Sequence, residues 1–490
     1  MSPGPPDDGR ARTAVPGRVP CLAPFACYAA LLCGALAIAS VTAAVPAVAA
    51  DLEMEPVQTQ WFAAAYQLTC GPLQLGVSHF ADQYGARRIL LVALAAFAAA
   101  SLQATAATTA AVLIAARLAQ GVGGAALSPV SLALLLTLRR RTENEPHAVA
   151  GWVSTTAAAS CLGPVLGGLL TSLLDWRAVF AALALLATAS AGCALHALGE
   201  PGPLATSPRH PMDIAGITLC TAAAITALIT LTAPTVTSSA PAQASTGLLT
   251  ATLIGLLVFR TRRAPRSALD AGLLRQVVTR RALLVLPVLF GANSSFTFLT
   301  YFALTRAHGL SPLSAALVAL PAAAPAVLTA RLAAKRTGEH RDGSRLMRTG
   351  LLCIAAGMLI GGCGHQHPTP LWLLSGACAV VGCGLGLANG SAMTVVSRSR
   401  SRSRSRTSHR TAQAAATATT FAMLGGATGP AVAGAALVLA GHPPRTCGAS
   451  TCDAFGTPPG TQLALVLLGV LTAASAFVLT GRRPERRRQR

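Results

Sequence analysis

Between residues 105 and 138 the chain carries a single charged residue, Arg117. A helix of that length, rising about 1.5 Å per residue, more than crosses a hydrocarbon core about 30 Å thick. A guanidinium buried there costs about 2.5–3.5 kcal/mol on insertion scales. It is therefore expected to face a protein interior or a wet cavity, not lipid. Gln120, Gly121, Gly123 and Gly124 follow within two turns, a second polar group and a surface on which another helix can pack closely. Such a run dictates a spanning helix, and its cation dictates neighbours around it.

The remainder of the chain repeats the pattern. Apolar runs fall at about 22–50, 60–79, 89–106, 110–137, 149–170, 177–197, 213–233, 246–259, 282–304, 312–330, 349–363, 371–394, 412–440 and 462–480. The run at 246–259 is the shortest of these fourteen spans. The first ends in an AVAA stretch like a processing site, but it is too long for a signal peptide and lacks a compact basic start, so it reads as a retained helix. Hydrophobic residues make up 53% of the chain and charged residues 11%, against roughly 25% charged in soluble domains. That leaves too little polar material to cover a soluble surface, so the fold class is an all-α integral membrane protein.

Charge tests the topology independently. With the N-terminus inside, every Lys and Arg except Arg117, Arg177, Arg306 and Arg445 falls on the cytoplasmic side, and both termini are cytoplasmic. The net charge of +22 then reflects topology and attraction to anionic membrane lipids rather than a nucleic-acid partner. The same argument covers the Ser-Arg tract at 397–410, which lies between two spans and lacks aromatics for base stacking. Heavy use of Ala, Gly and Arg suggests a bacterial source.

Several chemistries are disfavoured. Lys335 is the only lysine and is followed by Arg336, so no phosphate-binding G-x-x-x-x-G-K-[ST] loop is present. The cysteines lie mostly singly in apolar runs, where they behave as small hydrophobes. Cys447 and Cys452, in a Pro/Gly-rich loop, form a candidate disulfide and a poor metal site. His365 and His367, the one close histidine pair, lack the acidic neighbours a membrane enzyme would need. No cofactor or metal is expected, and the chain reads as a non-enzyme.

Asp82, Gly85, Arg87 and Arg88 occupy the short link between the second and third spans, in SHFADQYGARR. Here the chain resembles the major facilitator superfamily, whose signature in this loop is G-x-L-x-D-R-x-G-R-R. Ser78 replaces the opening Gly, Gln83 the Arg after Asp82, and Ala86 the first closing Arg. Residues 113–129 are similar to the span-4 signature L-I-x-A-R-x-x-Q-G-x-G, with Arg117 at its arginine. Gly163, Pro164, Gly167 and Gly168 resemble the end of the antiporter signature in span 5, with Ala150 and Ala159 at two earlier glycines. Trp61 and Tyr66 match an aromatic pair opening span 2, and Asp175-Trp176-Arg177 a W-R turn.

Order and span number together resemble the fourteen-helix drug:proton antiporter branch. Residues 1–20, rich in Pro and Arg, read as a disordered N-terminus, and the resemblance implies a six-helix half at 21–198 and a linker with two additional spans at 199–281. A second six-helix half at 282–480 and a basic tail at 481–490 would complete the chain. It implies a monomeric plasma-membrane exporter of lipophilic small molecules, such as drugs or natural products, driven by protons. A transporter relic acting as a sensor or scaffold, or a membrane enzyme, is the alternative.

One departure bears on mechanism. The branch usually has an Asp in span 1 where Ala37 stands here, and none of the sixteen carboxylates falls in the middle of a span. Either the substrate is neutral or anionic, with Arg117 the fixed intramembrane charge, or rim acids such as Asp82 or Asp213 couple transport. Under the first reading Arg117 holds the substrate or a water, while Asp82 with Arg87 and Arg88 gates switching. In span 9, Phe290, Asn293 (or Ser294), Thr297 and Tyr301 share a helix face suited to lining a pocket, or to ordinary interhelix packing. Gln67 and Gln120 are further candidates, and Asn389 reads as packing.

Overall fold

The structure is a computed structural model that describes residues 22–140, 145–198, 213–236, 239–263, 271–340, 343–362, 370–401, 408–441 and 458–480. Cys447, Cys452, His365 and His367 lie outside them, as do both termini and residues 402–407 of the Ser-Arg tract.

The described chain is helical. The first six helices are α1 (Leu22–Asp51), α2 (Pro56–Tyr84), α3 (Ala86–Thr105), α4 (Ala110–Arg140), α5 (Glu145–Leu173) and α6 (Trp176–Ala197). Then come α7 (Ile214–Val236), α8 (Ala240–Arg263), the short α9 (Ala271–Arg275) and α10 (Val277–Phe302). The last six are α11 (Pro312–Ala319), α12 (Ala323–His340), α13 (Gly343–Gly362), α14 (Leu371–Ser401), α15 (Ser408–Leu439) and α16 (Pro458–Thr480). Alanine and leucine, strong helix formers, dominate them. Proline is tolerated inside α1, α2, α4, α5, α10 and α15 at Pro46, Pro72, Pro129, Pro164, Pro287 and Pro430, because neighbouring helices can satisfy the freed carbonyls.

Among the described residues, thirteen stretches are long and apolar enough to cross a membrane. The expected second span coincides with α2, which is 29 residues long but not among the thirteen; Gln58, Gln60, Gln67 and Gln74 dilute its apolar character. The expected short span at 246–259 extends at both ends into α8, whose most apolar window has none of its residues buried. The expected span at 312–330 lies within one stretch, Pro312–Thr337, long and apolar enough to cross a membrane, but it is not a single regular helix. A 3-10 turn at Leu320–Ala322, containing Pro321, separates α11 from α12, and the helix runs on to His340. At the end of α10 the backbone loosens into a π segment, Ala303–Ala307.

Packing follows a pattern that recurs. In the first part α1 lies on α4, α5 and α6, α2 on α4, and α3 on α4 and α6. In the later part α10 lies on α14, α15 and α16, α12 on α14, and α13 on α14 and α16. Two seams join them, one between α2 and α15, the other between α5 and the α11 segment. The pair α7–α8 packs through α7 against both α2 and α15. The end of the bundle holding Asp51 is called the Asp51 face below, and the opposite end the Leu22 face.

Candidate functional site

Arg117 lies within the first helical group and is 2% exposed. Its Nη1 donates to the Ala37 carbonyl of α1 at 3.0 Å and to Gln120 Oε1 at 2.6 Å. Gln120 Nε2 in turn donates to Ser101 Oγ of α3 at 2.8 Å, and Ser101 Oγ to the Phe97 carbonyl at 2.7 Å. The guanidinium carbon lies 5.0 Å from the Tyr66 ring centroid, 5.9 Å from Phe62 and 6.0 Å from Phe180. The cation is thus held by a carbonyl dipole, a carboxamide and the negative faces of three rings from α2 and α6. Its Nε is buried without a partner.

The glycines after Arg117 let this cage close. A Cβ at Gly124 would strike the Tyr66 ring, and one at Gly121 would strike the Tyr66 carbonyl and Thr69. Thr69 Oγ1 donates to the Leu118 carbonyl at 2.9 Å, stitching α2 to α4. At Gly123 the added atom would lie 2.7 Å from the Phe97 amide nitrogen. The Arg-x-x-Gln-Gly-x-Gly-Gly spacing therefore sets a guanidinium and its carboxamide among three helices. The aromatic cage itself is a tertiary feature, since Phe62 and Phe180 come from distant stretches.

The span-5 motif has a different task. Gly163 abuts Ala39, and Gly167 lies so close to the Ser40 carbonyl that any side chain would collide with it, which brings α5 onto α1. Gly168 meets Pro312 and Leu313, and Ser172 Oγ accepts from the Leu313 amide at 3.1 Å. The motif thus forms the α5–α11 seam at the Asp51 face, with half-buried Pro164 between the glycines.

Between α2 and α3, Gly85 turns the chain at φ 91°, a region that favours glycine. Arg87 Nη2 donates to the Leu195 carbonyl near the end of α6 at 2.8 Å, and Arg88 is exposed. Asp82 is in the last turns of α2, but its side chain is outside those described. Asp213 is already engaged. It caps α7 through the Gly216 amide and accepts from Arg260 Nε and Nη2 at 2.9 and 2.7 Å.

On α10, Phe290, Asn293, Ser294 and Thr297 form a half-buried stripe on an otherwise mostly buried segment. Tyr301 is buried with Ala43, Ala315, Ala316 and Leu374, its hydroxyl unpartnered. Gln67 is half-buried beside Gly426 of α15. Trp61 packs near α7 and α15, whereas Tyr66 is buried against Arg117. Two groupings emerge: the Arg117 cage within one helical group, and the half-buried Asn293–Thr297 stripe on α10. Asn389 of α14 is half-buried with an unpartnered Oδ1.

Sequence reasoning missed a cluster at the Asp51 face. Trp176 Nε1 and Arg177 Nη1 both donate to Asp51 Oδ2, at 2.9 and 3.0 Å, and Arg177 also reaches Asp175 and the Ala107 carbonyl. The Arg177 guanidinium stacks 4.2 Å from the Trp176 centroid. The W-R turn was visible in the sequence, but its acidic partner on α1 was not.

The sequence profile of the Major Facilitator Superfamily matches residues 27–430. Among curated proteins, the chain is 30% identical over 320 residues to the multidrug efflux pump LfrA of Mycolicibacterium smegmatis, covering 65% of this chain and 62% of that one. It is 32% identical over 335 residues to the puromycin resistance protein pur8 of Streptomyces alboniger, covering 65% and 63%. A shorter match, 37% identical over 139 residues, is to the cephamycin export protein CmcT of Amycolatopsis lactamdurans, covering 28% and 29%. The chain thus spans less than two thirds of the length of these relatives. Among solved structures, a bacterial homologue of the human lysosomal transporter Spinster, in an inward-facing and unoccupied conformation, aligns with a TM-score of 0.64. That alignment covers 94% of this chain and 96% of that one at 14% identity, so it speaks to fold alone. A multi-pass all-α bundle with this profile match over most of its length, and with named drug efflux pumps as relatives, belongs to the Major Facilitator Superfamily.

Proposed function

We propose that the protein is an efflux transporter that exports hydrophobic small molecules, drugs or antibiotic-like natural products, by alternating access driven by the proton gradient. The observation that carries the reading is the caged Arg117 in a chain whose relatives include a named multidrug efflux pump and a named puromycin resistance protein. No carboxylate among the described residues forms an ion pair with Arg117, so the interior of the first helical group is net positive. That field favours neutral or anionic amphiphiles over permanent cations. Asp213 is already engaged by Arg260.

In this reading the helical groups at 21–198 and 282–480 rock about a path between them, with 199–281 supplying the additional pair. Counting α2 gives fourteen spans with both ends cytoplasmic in the plasma membrane of a monomer. The basic Leu22 face meets anionic lipid. Asn293, Thr297 and Gln67 contact the cargo, Arg117 holds charge in place, and Asp82 with Arg87 and Arg88 gates the cytoplasmic rim.

The test is a toxicity and dye-export panel in an efflux-deficient host, with and without an uncoupler. Protection against lipophilic neutral or acidic compounds that the uncoupler abolishes is expected. No protection against any compound would overturn the reading in favour of a relic, and product formation by purified membranes would overturn it in favour of an enzyme.

A further inference from the structure

Gln60, Gln67 and Gln74 recur every seventh residue on α2 and so share one helix face, about 10 Å apart along the axis. Two of them mark what that face meets. Thr419 Oγ1 of α15 donates to Gln74 Oε1 at 2.8 Å, and a Cβ at Gly426 of α15 would collide with the Gln67 carboxamide. Gly71, on the same face, accepts at its carbonyl from Thr420 Oγ1 at 2.8 Å. This stripe therefore runs along the seam between the two helical groups.

Gln60, two turns beyond Gln67 toward the Asp51 face, differs from the others. It is 0% exposed, and both its Nε2 and its Oε1 are buried with no hydrogen-bond partner. Buried carboxamides are almost always paired, because losing water without a replacement partner is costly at each atom. An apolar side chain would fill the space without that cost. A donor and an acceptor left open side by side, at a seam that must part for transport, are the complement of a ligand presenting the same pair reversed.

The geometry points to Gln60 as a recognition site for a cis-amide, a lactam or imide whose adjacent N–H and C=O pair reciprocally with the carboxamide when α2 and α15 separate. The inference deepens the exporter reading and rests on it for the motion that uncovers the site. The pairing forms two hydrogen bonds, ligand N–H to Oε1 and Nε2–H to ligand C=O. N-methylation of the ligand removes one of them and leaves Oε1 buried and unsatisfied.

The probes are 2-quinolinone and N-methyl-2-quinolinone, measured for binding to the full-length protein in nanodiscs and for uncoupler-sensitive export from cells. Wild type is expected to bind the lactam on the order of ten-fold more tightly than its N-methyl analogue. Gln60→Leu and the more flexible Gln60→Met should bring the two affinities within about two-fold, while raising or preserving the melting temperature, since each removes unpaired buried polar atoms. Equal affinities in wild type, or a preference that survives both substitutions, would overturn the site; the first result would assign the carboxamide to a trapped water. Lactam-selective binding without energised export would retain the site and sink the exporter reading instead.

Discussion

The two helical groups share a packing plan but differ in what they bury. Both seat a glycine-rich helix on its neighbours by the same device. Gly121 and Gly124 of α4 admit Tyr66 and Thr69, and Gly386 and Gly390 of α14 admit the backbone of α12 around Ala326 and Ala330. At the core of the first group stands a guanidinium with a chain of polar partners running from α1 to α3. In the second, α14 offers Asn389 with an unpartnered oxygen, and Thr329 reaches across to the Cys383 carbonyl at 3.0 Å. Close packing is therefore common property of the plan, whereas among the described residues buried charge is a property of one group. The first is a scaffold requirement; the second is where function is expected to concentrate.

The largest effect should come from filling a glycine seat in either group. Gly124→Leu and Gly386→Leu are each expected to cost at least ~3 kcal/mol and to leave little folded protein. Gly192→Leu, with no atom within 4 Å of its would-be Cβ, should change stability by less than ~0.5 kcal/mol; thermal melts in detergent compare them. If only one group proved intolerant, the shared plan would be a poor description.

Charge should separate the groups next. Arg117→Met is expected to reduce energised export per folded molecule on the order of ten-fold or more, and to lower the melting temperature as well, because it leaves Gln120 Oε1 without its donor at a cost of about 1–3 kcal/mol. Asn389→Ala should change export by less than about two-fold. Equal losses in a dye-export assay normalised to protein would erase the contrast.

Ser101→Ala tests the polar chain more gently. It leaves Gln120 Nε2 without its acceptor and is expected to cost about 1–3 kcal/mol, read by thermal melting. Smallest is Asp51→Asn. The Arg177–Asp51 pair is partly exposed, so its loss should cost only about 0.2–1 kcal/mol and should shrink further in high salt.

Much of the architecture was legible because apolar runs and the long helices that contain them are the same signal. What lay beyond reach were features set by neighbours. The span over α11 and α12 looked continuous because Pro321 and Pro325 sit in an apolar stretch, and hydropathy does not register a 3-10 turn. Conversely, α8 reaches to Arg263 although its charged last turn is not apolar, since Arg260 is held there by Asp213. Arg117 drew notice as a lone charge and Gln120 as a second polar group on the same helix, but their hydrogen bond is seen only in the structure. Sequence could not foretell that Phe62 and Phe180 would join Tyr66 around it. Gln60 gave no sequence signal above its neighbours on α2; only its burial without partners sets it apart.

The position of α7 has a mechanical consequence. It touches α2 and α15 together through Ile217, Cys220, Ala224 and Leu228 against Ala64, Leu68, Leu75, Ala427 and Ala431, and these surfaces are smooth and oily. Threonine hydroxyls latch α2 to α15 directly and must let go if those helices are to part. A greased rod laid along the same crevice can instead let both sides slide past it, exchanging one set of dispersion contacts for another. The additional pair would then serve as a bearing and a gasket, holding lipid out of the crevice while the machine turns.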